Sequence, residues 1–438
     1  MKCNQNISFS IFTLGCKVNQ YESQKIAKEL LELGFHMEKE EGDIQIINAC
    51  AVTARADRKT RQLVYRALNE GKYLILTGCL SPDVLAKFQG RKGIIIIPQE
   101  QKMEIPLFLA KKFIAKPSSD ADDEELTRKA IGRKRAFVAI QVGCDNFCSY
   151  CIVPFLRGKP RSRELTEVLG EIKQLIDYGF KEIVLCGIRL GKYGADLADN
   201  ITLASLLKEI LKWEGDFRIR LSSIEPMDFE EELISLISHP KLCPHFHIPL
   251  QSGSDKILKA MKRSYTVSDY LSLVRRIKMT VPLVNITTDI IVGFPGETDE
   301  DFALTLKVCR EAGFGKIHIF PFSARPLTEA GKLQQLPEEI KKERVKALQE
   351  LGEELSISFR KQLLGQFIWV LVQGKKGEMW EGISHNYVRA YIPGEEPPAD
   401  MTWCCVKGLY KEGVIVNLKE GGRENGTLCV LYDSKGRS

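Results

Sequence analysis

Between residues 133 and 322 short apolar runs alternate with stretches whose apolar residues recur at helical spacing, and this alternation restricts the fold more than any other feature of the chain. The runs are AFVAIQV (136–142), EIVLCG (182–187), RIRLSS (218–223), HFHIPL (245–250), NITTDIIVG (285–293) and KIHIFPF (316–322), with amphipathic stretches such as ELTEVLGEIKQLIDYG and LASLLKEILKWEG between them. Short apolar runs separated by helices predict parallel strands joined by crossovers. Six βα units predict a TIM-like barrel or partial barrel, with its functional face at the C-terminal ends of the strands.

A shorter version of the pattern fills the first 115 residues: SIFTLG within 8–15, DIQIINA (43–49), KYLILTG (72–78) and IIII (94–97) predict a parallel, Rossmann-like sheet. PSSDADDEEL (117–126) then interrupts the periodicity and reads as an acidic linker. After a charged helix near 337–362 come QFIWVLVQG, EMWEGIS, YVRAYIP, CVKGLYKEGVIVNLK and TLCVLYD, short β-type runs broken by Gly and Pro, which predict a small all-β barrel. The expected division is therefore 1–116, a linker at 117–132, a central α/β domain at 133–360 and a β-rich domain at 361–438. A chain of 438 residues exceeds what one core organises, so several domains are in order.

No apolar run approaches the roughly 18 residues that span a bilayer, and the first residues, MKCNQNISFS, carry no signal region. A cytoplasmic chain is expected, where thiols stay reduced. Its thirteen cysteines then read as metal ligands, reactive groups or small core residues. The net charge of +6 is too weak to indicate a nucleic-acid binder, but two basic segments directly follow cysteines: RADRKTRQLVYR (55–66) after Cys50 and RGKPRSR (157–163) after Cys151. One such segment would pass as a solvated surface; two beside candidate sites favour a polyanionic substrate.

The strongest local signal is GCDNFCSYC, which spaces Cys144, Cys148 and Cys151 as C-x3-C-x2-C just after the first barrel strand. A structural zinc site would need a fourth Cys or His nearby, and none follows. Three thiolates suit a 4Fe–4S cluster with one open iron, able to chelate S-adenosylmethionine and deliver the electron that cleaves it to a 5′-deoxyadenosyl radical. The competing reading is three small core residues in a Gly-flanked loop. Strand ends CGIRLGKYG, LSSIEP, IPLQSG and TDIIVGFPGE are Gly-rich or polar, which makes Gly187, Glu225, Gln251 and Gly293 candidates for contact with S-adenosylmethionine. A turn or cap explains each one singly; the four loops together favour a cofactor.

Three isolated cysteines share a placement. Cys16 follows SIFTLG, Cys50 follows DIQIINA and Cys79 follows KYLILTG, each at the C-terminal end of a predicted strand of one parallel sheet. Ligands collect outside such ends, so residues distant in sequence converge there. A single cysteine in this position is ordinarily a packed thiol, whereas three in one register look like ligands of a second cluster. Cys3, Cys186, Cys243, Cys309, Cys404, Cys405 and Cys429 show no such register. Cys404 and Cys405 fall on opposite faces of a strand, and Cys186 reads as a buried thiol. His245 and His247 share a strand face with no acidic partner in view, so they read as core or loop histidines.

GCDNFCSYC on a (β/α)6 pattern resembles the radical S-adenosylmethionine superfamily. TLGCKVNQYES, INACAVTARADRKTRQ, LTGCL, GCDNFCSYCIVPFLRGKPRSR, LSSIEP, HIPLQSGSDKILKAMKR and TDIIVGFPGETDEDF together are similar to the methylthiotransferase family over nearly the whole chain. Around the first cysteine the similarity is greatest to the branch that thiomethylates N6-threonylcarbamoyladenosine in tRNA. The resemblance implies an N-terminal cluster domain, a radical barrel and a C-terminal TRAM barrel that grips RNA. It implies two 4Fe–4S clusters, on Cys16, Cys50 and Cys79 and on Cys144, Cys148 and Cys151. One S-adenosylmethionine would methylate a sulfur on the first, a second would be cleaved at the other, and C2 of adenine 37 would receive the methylthio group.

The implied partners are the anticodon region of tRNA and a reductase or flavodoxin-type electron donor. Expected phosphate contacts are Arg55, Arg58, Lys59, Arg157, Arg161 and Arg163, with Lys375, Lys376 and Arg389 on the β-rich domain. Alternative readings are thiomethylation of isopentenyladenosine tRNA or of a ribosomal-protein side chain, or a non-catalytic zinc- and RNA-binding protein. One departure stands out: where relatives have Tyr-Ser-x-Arg-x-Gly-Thr-x-Ala, this chain has FPFSARPLTEA, with Phe322 for the Tyr and Pro326 and Leu327 near the Gly-Thr pair. Arg325 is retained.

Overall fold

The computed structural model describes residues 7–113, 122–198 and 201–418. Cys3, Cys429, the first half of the acidic segment and the run TLCVLYD lie outside them. The N-terminal strands β1 (Ser8–Thr13), β2 (His36–Met37), β3 (Ile44–Ala49), β4 (Tyr73–Gly78) and β5 (Ile94–Ile96) form one parallel sheet in the order β2-β1-β3-β4-β5. Every residue of β3 is buried, as in a parallel sheet covered on both faces. Alternation along the strands sends Phe9, Ile44, Ile46 and Ile75 to one apolar layer and Ile47, Ala49, Leu74 and Leu76 to the other. Helices α1 (Lys17–Glu32), α2 (Ala54–Asn69), α3 (Pro82–Phe88) and α4 (Ile105–Lys112) supply the cover.

Part of the acidic segment is a helix, α5 (Asp123–Ile131), and this corrects its reading as linker. The Asp122 side chain accepts the Glu124 amide at 3.1 Å, Asp123, Glu124 and Glu125 fill the first turn, and Gly132 ends the helix in a left-handed conformation. The acidic run is thus helix-dipole complementation, and Leu126 and Ala130 pack onto the N-terminal core.

In the central domain β6 (Arg135–Val142), β8 (Glu182–Gly187) and β9 (Arg218–Leu221) run parallel, with the short β7 (Arg161–Ser162) antiparallel on the edge. The strands β10 (His245–His247), β11 (Asn285–Val292) and β12 (Lys316–Pro321) form a second parallel group. Isolated parallel bridges, Ile219 to Leu242 and Ser223 to His247, join the groups into the six-stranded partial barrel that the alternation predicts. One large apolar core lies between this sheet and its outer helices. The C-terminal strands β13 (Phe367–Lys376), β14 (Met379–Ser384), β15 (Arg389–Pro393), β16 (Met401–Tyr410) and β17 (Gly413–Leu418) close into a barrel in the order β13-β14-β15-β17-β16. Cys404 faces its core and Cys405 faces outward.

Two contacts fix the parts on one another. Val18 of α1 packs on Phe137, Ala139, Val184 and Cys186, so the N-terminal domain inserts a helix against the concave face of the partial barrel. Near the N-terminal ends of β8 and β9, the fully buried Glu182 accepts hydrogen bonds from Arg218 (2.7 Å) and Arg220 (3.0 Å). Those guanidiniums donate onward to the carbonyls of Trp369, Ile383, Ser384 and His385 in the β-barrel. Burial alone would raise the Glu182 pKa, but Arg220 and Arg218 hold it far below the usual carboxylate range. Among the described residues no helix is long and apolar enough to cross a membrane.

Candidate active site

Cys16, Cys50 and Cys79 follow the adjacent strands β1, β3 and β4, and the structure brings them together. Cys16 is the N-cap of α1, and Gly15 before it has φ +91°. A Cβ at Gly15 would lie 2.7 Å from the Cys50 sulfur, so only glycine lets the two cysteine loops approach this closely. Cys50 and Cys79 are buried; burial pushes the Cys50 thiol up to about 11 and raises that of Cys79.

The second triad sits on one loop after β6. Gly143 (φ +80°) turns the chain; a Cβ there would meet the Lys159 carbonyl oxygen at 2.0 Å. The Cys144 amide donates to Gly158 O (3.0 Å) and the Cys151 amide to Cys148 O (3.0 Å), folding the loop on itself. Burial pushes Cys151 up to about 12 and raises Cys144. Such thiols bind metal as thiolates, releasing their protons to solvent as they do so.

Each triad receives donors aimed at sulfur. The amide of Asn146 points at Cys144 Sγ (3.5 Å), and Arg263 Nη1 at Cys148 Sγ (3.4 Å). Arg157 Nε points at Cys79 Sγ (3.2 Å), while its other nitrogens donate to Glu22 (3.0 Å each) and to Asn19. Such N–H···S contacts stabilise the thiolates of iron–sulfur clusters. Among the described residues, the one group of ligating atoms lying within 4.8 Å of one another is His247, Asp289 and His318. Three thiols in one group are a donor set of the kind that holds an iron–sulfur cluster.

Arg157 corrects one expectation. It ends the short helix α6 (Val153–Arg157) after the barrel cysteines, is 5% exposed, and reaches the N-terminal triad instead of a phosphate. Arg163 is likewise spent internally, on Glu167, Glu171 (both 2.6 Å) and Tyr21. Arg161 is exposed, as are Arg55, Arg58 and Lys59 on α2 and Lys375, Lys376 and Arg389 on the β-barrel, although Arg389 also pairs with Glu412 at 2.8 Å.

At the strand ends, Glu225 pairs with Arg263 and so lies one residue from Cys148. Gln251 is buried with φ +68°, a strained backbone for a non-glycine residue. Gly187 lies against Gln141, whose Oε1 accepts the Arg189 amide (2.8 Å). Gly293 has a packing reason of its own: a Cβ there would come within 2.5 Å of Lys341 Cγ, and its amide is taken by Glu297 (2.6 Å). Phe322 is buried edge-on to Phe294, and Arg325 forms a buried ion pair with Asp57 of α2. The last barrel loop thus docks on the first turn of α2, the helix that follows the Cys50 loop.

Sequence reasoning missed the sulfur-directed arginines, because their partners lie far along the chain. It also missed the acid for His247: Asp289 Oδ1 lies 3.1 Å from His247 Nε2 and 3.2 Å from His318 Nδ1, while His247 Nδ1 meets Thr287 Oγ1 at 2.9 Å. The strand pairing β10-β11-β12 supplies this acid, and a signal was available in the matching alternation of HFH, TTD and KIH.

Residues 138–309 match the Radical SAM superfamily, and residues 8–95 match a family described as Uncharacterized protein family UPF0004. The chain is 38% identical to threonylcarbamoyladenosine tRNA methylthiotransferase MtaB of Thermotoga maritima, over 92% of this chain and 95% of that one. It is 36% identical to the Bacillus subtilis protein of the same name (93% and 96%), and 38% identical to tRNA-2-methylthio-N(6)-dimethylallyladenosine synthase of Caldicellulosiruptor saccharolyticus (87% and 86%). In fold it is similar to the radical S-adenosylmethionine methyltransferase TsrM of Kitasatospora setae, with cobalamin and a 4Fe–4S cluster bound, at a TM-score of 0.54 and 14% identity over 75% of this chain and 77% of that one. The fold and the cysteine loop after β6 define a radical S-adenosylmethionine enzyme with an iron–sulfur cluster. More narrowly, the chain belongs to the methylthiotransferase family.

Proposed function

We propose that this enzyme transfers a methylthio group to C2 of N6-threonylcarbamoyladenosine at position 37 of tRNA. The observation that supports the reading is the junction at Arg157: a residue six positions after Cys151 donates to Cys79, so one side chain links the loop of the second triad to the first. Cys144, Cys148 and Cys151 would hold the cluster that binds S-adenosylmethionine, and Cys16, Cys50 and Cys79 a second one. When bound, the first supplies the electron for reductive cleavage and the second supplies sulfur.

The chain's own residues do the rest. Arg157 and Arg263 donate to ligand sulfurs, and the Glu225–Arg263 pair and Gln251 line the barrel mouth as candidates for the methionyl and ribose groups. Arg55, Arg58 and Lys59 offer exposed charge to the tRNA backbone beside Cys50, and the closed β-barrel acts as the TRAM-like grip. A reductase or flavodoxin-type protein supplies electrons. The relatives named for dimethylallyladenosine keep that nucleoside as a second reading. Mass spectrometry of tRNA nucleosides from cells with and without the gene decides between them. Loss of 2-methylthio-N6-threonylcarbamoyladenosine is expected; its persistence alongside loss of the dimethylallyl form would transfer the assignment.

A further inference from the structure

The last three barrel strands turn apolar residues to their outer helices and ligating residues to a common point on the other face. Phe246 and Ile248, Ile286 and Ile290, and Ile317 and Ile319 all pack in the outer core. Alternation therefore puts His247 of β10, Asp289 of β11 and His318 of β12 together on the concave face. Register sets them side by side: His247 pairs with Thr287 across β10 and β11, and Asp289 stands directly opposite His318 across β11 and β12. One oxygen, Asp289 Oδ1, lies 3.1 Å from His247 Nε2 and 3.2 Å from His318 Nδ1. One ligating atom from each of the three residues lies within 4.8 Å of the others. Methylthio transfer as proposed above uses none of them.

These are the separations of atoms that share an ion. Nitrogen and oxygen ligands at about 2.0–2.2 Å from a zinc-like ion stand about 2.8–3.6 Å from one another, across octahedral and tetrahedral geometries. Two imidazoles and one carboxylate form a facial set that suits divalent iron or zinc and leaves positions open. An outer partner is in place as well: Thr287 Oγ1 meets His247 Nδ1 at 2.9 Å and orients the ring with Nε2 toward Asp289. Burial would raise the Asp289 carboxyl, but hydrogen bonds with His247 and His318 hold it below the usual carboxylate range, so it is the anion that a cation needs. A way in exists on one side. Side-chain exposure rises from 9% at His247 through 25% at Asp289 to 43% at His318. At the closed end Arg220 and Lys17 bear on His245 and oppose a cation, so an ion here depends on all three ligands.

We infer that His247, Asp289 and His318 bind one divalent transition-metal ion of the zinc or ferrous class, apart from the iron–sulfur clusters and open beside β12 to water or an oxygen ligand. Without an ion, the two rings hydrogen-bond to one carboxylate oxygen. An ion takes the place of the protons between them, which move to the other ring nitrogens, and Thr287 Oγ1 then accepts the one on His247.

The test uses the cluster-reconstituted enzyme, freed of loosely held metal with a chelator and dialysed anaerobically against Zn2+. About one zinc per chain is expected, and X-ray absorption at the zinc edge, which does not see iron, should show nitrogen and oxygen at about 2.0–2.2 Å with the outer scattering of imidazole. Asp289→Asn and His318→Gln should each weaken zinc binding by more than about 100-fold. Thr287→Val, which removes the outer partner alone, should weaken it about 10-fold to 100-fold, with iron content unchanged throughout. A sulfur shell at about 2.3 Å, meaning zinc on cysteines, overturns the inference, as does zinc binding undiminished in both Asp289→Asn and His318→Gln. If a variant loses iron, the zinc-edge spectrum of the wild type decides alone: imidazole nitrogen sustains the site, and sulfur ligation or no bound zinc removes it.

Discussion

The two cysteine triads are built by opposite routes. Cys144, Cys148 and Cys151 lie within one loop, positioned by Gly143 and by two backbone hydrogen bonds that close the loop on itself. Cys16, Cys50 and Cys79 are spread over more than sixty residues and meet only because β1, β3 and β4 are neighbours in a parallel sheet. A local triad survives as long as its loop does, whereas a topological one depends on the register of a whole domain. Separate construction also lets the two be broken separately, and the largest expected effect tests this. Cys16→Ala should abolish methylthio transfer, lower iron from about eight to about four atoms per chain, and still permit reductive cleavage of S-adenosylmethionine. Cys148→Ala should abolish both activities. Methylthiolation by Cys16→Ala in a single-turnover nucleoside assay would remove Cys16 from the chemistry.

Each triad also receives one guanidinium, with unequal consequences. Arg157 is buried and shares Glu22 with Lys102 (2.5 Å), so Arg157→Met leaves the Glu22 carboxylate to Lys102 and takes from the Cys79 thiol its guanidinium donor, both in low dielectric. Removal of one member of a buried ion pair costs about 3–5 kcal/mol, and a large fall in the thermal midpoint with loss of the N-terminal iron is expected. Burial would raise the Glu22 pKa, but Lys102 and Arg157 keep it below the ordinary carboxylate value. Arg263→Met lies at the barrel mouth beside Glu225, and there the larger change should be in affinity for S-adenosylmethionine. Equal iron contents in the two variants, measured with melting curves, would show that Arg157 is not needed by its triad.

Much of this was legible in the sequence, for physical reasons that differ by element. The strands of both parallel sheets announce themselves because burial on both faces demands unbroken apolar runs, as in IQIINA of β3. The cysteines at their ends could be placed because parallel topology puts every such end on one side. Side-chain partners could not be read, since charge in a sequence says nothing of what it meets: Arg157 and Arg161 stand four residues apart in one basic run, one buried against a thiol and the other exposed. Composition also misled at Asp123, Glu124 and Glu125, where acidity that suits a linker equally suits a helix N-terminus. Asp289 escaped notice as the partner of His247 because strand pairing, and not spacing, brings them together.

A single methyl group probes how tightly the topological triad is set. In Gly15→Ala the new Cβ would lie 2.7 Å from Cys50 Sγ with the backbone at φ +91°, so the loop must shift. Strain of this kind costs on the order of 1–3 kcal/mol. Partial loss of the N-terminal cluster is expected, seen as iron between about four and eight atoms per chain and a slower transfer step with S-adenosylmethionine cleavage unchanged. Full iron and full rate in this variant would mean that the Cys16 and Cys50 loops need not approach this closely.

The smallest effect separates the two basic segments, which sequence alone could not rank. Arg55, Arg58 and Lys59 stand exposed on α2 beside Cys50, whereas Arg163 is occupied by Glu167, Glu171 and Tyr21. A lysine or arginine that neutralises one phosphate contributes about 0.7 to 0.9 to the slope of log affinity against log salt. The triple variant Arg55→Ala, Arg58→Ala, Lys59→Ala should therefore flatten that slope for tRNA by about 2, with affinity at physiological salt reduced several-fold and iron content intact. Arg163→Ala should leave the slope unchanged and act instead on stability, because its charge is already balanced inside the protein. A flattened slope in Arg163→Ala, with none in the triple variant, would move the tRNA from α2 to the loop after Cys151.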